Sequence, residues 1–92
     1  MVYMTRLVTI THYESITDEL RPFVEFQAAQ KKIEVKQDTR IALLQVENIP
    51  SYFVVFLDSG ITLDEVIVEL ANQDLRLPED LKNILSQALK SN

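Results

Sequence analysis

The chain has one imidazole, His12, two residues before Glu14 and three before Ser15. Histidine is the usual base near neutral pH. On a strand, residues i and i+2 share a face, so a His12–Glu14 contact is sterically reasonable. The His-x-Glu spacing also occurs in zinc deaminases, but those need a Pro-Cys-x-x-Cys partner. The chain has no Cys, and His12 is expected to be an ordinary strand-end histidine.

Carboxylates occur as adjacent pairs at Asp18/Glu19, Asp64/Glu65 and Glu79/Asp80. Acid catalysis needs two carboxyls facing each other across a cleft, in environments that separate their pKa values. All three pairs fall at expected helix starts, where capping and the helix dipole account for them. Lys31, Lys32, Lys36 and Arg40 bring four of the nine bases within ten residues. Glu34 and Asp38 are interspersed, aromatic residues for stacking are missing, and the overall charge is negative, so nucleic acid is not an expected partner.

Composition narrows the chemistry further. The 92 residues include no Cys, no Trp, one Gly and one His, with 47% apolar and 25% charged residues and a net charge of −5. Zero Cys removes disulfides, thiolate zinc sites, iron–sulfur clusters and thiol nucleophiles. One glycine, Gly60, cannot build a glycine-rich phosphate cradle. No catalytic, cofactor-binding or metal-ligating residue is assigned, and the protein is expected not to be an enzyme. The longest apolar run, Tyr52 to Leu57, is six residues, against ~20 for a bilayer span. No signal peptide is visible. A soluble cytoplasmic protein without a membrane partner is expected, folding as one domain over 1–92.

These residues must be carried by regular elements. Residues 2–13 read as a strand, with Val8 and Ile10 on one face and Leu7, Thr9, Thr11 and Tyr13 on the other. Residues 18–32 read as a helix, regular only from about Pro22. Residues 32–37 alternate Ile33 and Val35 with Lys32, Glu34 and Lys36, the pattern of an edge strand or of the helix tail. Residues 40–47 and 52–58 form a strand pair around the turn Asn48-Ile49-Pro50-Ser51. The second of these is apolar on both faces and is expected to sit centrally, covered on both sides.

Thr62-Leu63-Asp64-Glu65 is a capping box, with Ile61 and Val66 placed as a hydrophobic staple, and it opens a helix over 62–73. Pro78, Glu79 and Asp80 open the last helix, 78–90. The expected fold is α+β, in the order β-α-β-β-β-α-α. A small mixed or antiparallel sheet of three to four strands packs with three helices.

The remaining functional signal is surplus apolar surface. On the helix over 18–32, Leu20, Phe23, Val24, Phe26, Ala28 and Ile33 spread over more than half the circumference, and Gln27 and Gln30 fall inside that arc. Val68 stands ~140° from Leu63, outside the stripe of its own helix. Apolar surface left over after one core is filled marks an interface, and large aromatics anchor such interfaces. Phe23, Phe26, Gln27, Gln30 and Val68 are therefore the candidate partner interface. The expected function is a non-enzymatic protein–protein interaction or regulatory module that self-associates. The alternative is an acidic, antitoxin-like inhibitor that masks a basic protein. It rests on residues 58–92, which hold seven acids (Asp58, Asp64, Glu65, Glu69, Asp74, Glu79 and Asp80) and three bases.

Overall fold

The computed structural model describes residues 1–90. The elements are β1 (Tyr3–His12), α1 (Arg21–Lys31), β2 (Arg40–Val46), β3 (Tyr52–Phe56), α2 (Leu63–Ala71), β4 (Leu75–Arg76) and α3 (Glu79–Lys90), with a 3-10 turn at Tyr13–Ser15. The four strands make one mixed sheet in the order β3-β2-β1-β4. β1 and β3 both pair antiparallel with β2, and β4 runs parallel to β1. The chain is thus an α+β domain with three helices and a four-stranded mixed sheet, as its patterning implies.

β2 and β3 are covered on both faces. On one, α1 sends Val24 and Ala28 against Ile41, Leu43, Val54 and Phe56. On the other, α2 and α3 send Val66, Leu70, Leu81 and Leu85 against Ala42, Leu44, Phe53 and Val55. Alternation along β2 therefore feeds two cores at once, which is why its run Ile41–Leu44 is apolar without a break. Each large side chain fully buried in this way contributes about 1.5–3 kcal/mol.

Local chemistry sets the element ends. The capping box of α2 is complete: the Glu65 N–H donates to Thr62 Oγ1 at 3.2 Å, and the Thr62 N–H donates to Glu65 Oε1 at 3.1 Å. Just before it, Gly60 takes φ 83°, a conformation that favours glycine, in the turn leaving β3. α1 begins at Arg21, with Pro22 in its first turn. It ends where Lys32 adopts φ 58° and the Ile33 N–H donates to the Ala28 carbonyl at 2.9 Å.

Three expectations need correction. Residues 33–36 form neither strand nor helix; Ile33 and Val35 pack on the α1-side core from a loop. The fourth strand is β4, two residues in the short stretch between the expected helices over 62–73 and 78–90. β3 is covered on both faces but lies at the edge of the sheet, while β2 and β1 are central. A further difference comes from a bulge in β1, where Leu7 pairs with Leu44 and Thr9 with Leu43, so Val8 is the extra residue. Leu7 then packs on the α2/α3 side and Tyr13 on the α1 side, although simple alternation puts them on one face.

Candidate functional site

α1 lies along β3, and α2 approaches from the opposite face of the sheet. Between them, beside the β3 edge, runs a groove of about 590 Å³. Phe23, Phe26, Gln27 and Gln30 all line it, with Tyr52 and Phe53 from β3 and Glu69 from α2. Their i, i+3, i+4 and i+7 spacing puts these four residues on one side of α1. Val68 does not line the groove; it is exposed on α2.

The four α1 residues have different roles. Phe23 is half-buried, and its ring meets Tyr52 edge-on, with centroids 5.0 Å apart and planes at 68°. Phe26 stays 65% exposed. Gln27 is spent within the chain: its Oε1 accepts from the Val54 N–H at 2.8 Å, and its Nε2 donates to the Tyr52 carbonyl at 2.7 Å. The side-chain amide thus occupies part of the open edge of β3. Gln30 is exposed at the groove. At the far end Lys31 pairs with Glu69, tying α1 to α2.

Sequence reasoning missed the uncovered apolar residues outside α1 and α2. Met4, Val8 and Ile10 on β1 and Ile84 on α3 are exposed. Val8 and Ile10 do lie on a common strand face in the sequence, but nothing in the pattern says that no helix covers it.

His12 ends β1 in an exposed position, and no hydrogen bond joins it to Glu14 or Ser15 among the described residues. Asp58 is held by Arg40, whose backbone N–H donates to Oδ2 at 3.1 Å and whose Nε donates to Oδ1 at 2.9 Å. These bonds hold the Asp58 carboxyl below the usual carboxylate range, with a smaller push from the His12 charge. Tyr13 donates to Glu25 at 2.7 Å, and that carboxylate, helped by burial, raises the phenol above its ordinary range against an opposing pull from Arg21. The remaining acids of the C-terminal part are dispersed: Glu65 caps α2, Glu79 pairs with Lys82, and Asp80 accepts from the Leu81 N–H. No helix among the described residues is long and apolar enough to cross a membrane.

A family model described as "Domain of unknown function (DUF749)" matches residues 3–89, and the chain belongs to that family. It is similar to "Uncharacterized protein MJ0858" of Methanocaldococcus jannaschii, with 27% identity over 86 residues, covering 94% of this chain and 76% of the relative. No solved structure matches the chain significantly.

Proposed function

We propose that this protein is a non-enzymatic protein–protein interaction module of regulatory type, which self-associates in the cytosol. The observation that carries the reading is the uncovered apolar surface. Phe26 at 65%, Val68 at 57%, Val8 at 42% and Ile10 at 37% exposure all lie outside the two filled cores. An exposed large aromatic is the kind of residue that anchors an interface, and surplus apolar surface favours contact over solvation. A chain without Cys suits a reducing compartment.

The acidic-inhibitor alternative has less support. Of its seven acids, Asp58, Glu65, Glu69 and Glu79 are engaged by side chains or caps of this chain, and Asp80 by a backbone N–H. A surface built to mask a basic partner needs its carboxylates free.

An NMR dilution series of the labelled chain tests self-association. Amide resonances near the uncovered apolar residues should shift progressively with concentration. Spectra that superimpose from micromolar to millimolar chain contradict the reading.

A further inference from the structure

The two edges of the sheet are finished differently. At the β3 edge, the Gln27 amide bonds the Val54 N–H and the Tyr52 carbonyl. At the other edge, β4 pairs with β1 only at Tyr3 and Met4, and Thr5 Oγ1 donates to the Arg76 carbonyl at 2.9 Å just beyond. From Val8 to His12, no described strand lies on the outer side of β1.

The direction of the backbone there follows from the ladder. The Arg40 carbonyl accepts from the Leu57 N–H at 3.0 Å, so Arg40 directs its backbone toward β3. His12 pairs with Arg40, and its own N–H and C=O therefore turn outward, away from β2. Alternation gives Ile10 the same direction. Among the described residues, no side chain or backbone group bonds to these outward groups.

An open edge is normally defended by charge, especially Lys, or by Pro. The stretch Leu7-Val8-Thr9-Ile10-Thr11-His12-Tyr13 holds no Asp, Glu, Lys, Arg or Pro. Val8 and Ile10 add apolar side chains that are 42% and 37% exposed. In a chain of net charge −5, an uncharged edge is where two identical copies can approach with least repulsion. The bulge at Val8 blunts one end of the stretch and leaves Ile10 and His12 in regular ladder.

We propose that β1 is the self-association surface. A second copy adds its own β1 antiparallel across a two-fold axis, so that Ile10 faces the partner's Ile10, and the regular pairing ends where the bulge at Val8 begins. The Ile10 pair exchanges two N–H···O bonds, and the two four-stranded sheets join into one. Such an interface is isologous, the commonest kind in symmetric dimers. This proposal rests on the self-association reading and names its surface.

The native chain has no Cys, so single cysteines report proximity cleanly. Directly opposed residues in a hydrogen-bonded antiparallel pair are ~5.5 Å apart at Cα, within disulfide reach. The Ile10→Cys chain under mild oxidation should convert to a covalent dimer on a non-reducing gel, while Phe26→Cys stays monomeric. In parallel, Ile10→Lys should abolish the dimer in sedimentation and leave the circular dichroism spectrum unchanged. Cross-linking through Phe26→Cys and not Ile10→Cys, with an Ile10→Lys dimer intact, overturns the β1 proposal but leaves self-association standing. A wild-type chain that stays monomeric at every concentration removes both.

Discussion

Gln27 and Val54 are joined as side chain to strand edge: the amide oxygen of Gln27 accepts from the Val54 N–H at 2.8 Å, and its nitrogen donates to the carbonyl of Tyr52 at 2.7 Å. One helical residue thereby supplies both bonds that a neighbouring strand would make at that point. Gln27→Ala leaves two part-buried backbone groups without partners, at a cost of about 1–3 kcal/mol. Urea unfolding should show that loss. Wild-type stability in the variant would mean that water replaces the amide without penalty.

The start of α2 depends on the reciprocal bonds between Thr62 and Glu65. Thr62→Ala removes the acceptor for the Glu65 N–H and should destabilise the protein by about 0.5–2 kcal/mol. Thr62→Ser keeps the oxygen and should recover most of it. Thermal unfolding of the two variants side by side is the check.

Asp58 provides the clearest acid dependence. Its carboxyl titrates lower in the folded chain than in the unfolded chain because Arg40 bonds both of its oxygens. The unfolded state therefore takes up its proton first as pH falls. The stabilising contribution is complete above the unfolded carboxylate value of about 3.9 and is lost as pH drops through the lower folded value. The pair is partly exposed, so solvent screening limits it to roughly 1 kcal/mol or less. Asp58→Asn should be less stable than wild type at about pH 7, and the deficit should be smaller at about pH 2. An equal deficit at both pH values would assign the effect to shape and not to charge.

Core and groove should respond oppositely to truncation. Leu70 is fully buried between α2 and the sheet, and Leu70→Ala should cost about 2–5 kcal/mol. Phe26 is mostly exposed, and Phe26→Ser should change stability by no more than about 0.5 kcal/mol. A large loss at Phe26 would show that it supports the fold.

Much of this architecture can be read directly from the residues. The capping box at Thr62, the paired apolar runs around Asn48–Ser51 and the Pro78-Glu79-Asp80 helix start are local signals, and each element stands where its signal does. What could not be read depends on non-local pairing. Ile33 and Val35 alternate like a strand, yet the left-handed turn at Lys32 sends them over α1-side core as a loop. β4 spans two residues, too short for any period to show. β3 is apolar on both faces because two helical layers cover it, and burial of side chains carries no information about whether its outer backbone groups are paired. Gln27 was legible as a polar residue in an apolar arc, but its bond to the edge of β3 required knowing that β3 is an edge. The exposed face of β1 was hidden for the same reason, since Val8 and Ile10 look like core residues until the sheet order leaves them uncovered.

The central claim is that one copy of this chain leaves apolar surface that a second copy covers. Sedimentation equilibrium over a range from micromolar to millimolar chain measures this most directly. The account predicts a mass rising from the 10.6 kDa of one chain toward twice that value along a single monomer–dimer isotherm. A mass that remains at one chain throughout contradicts it.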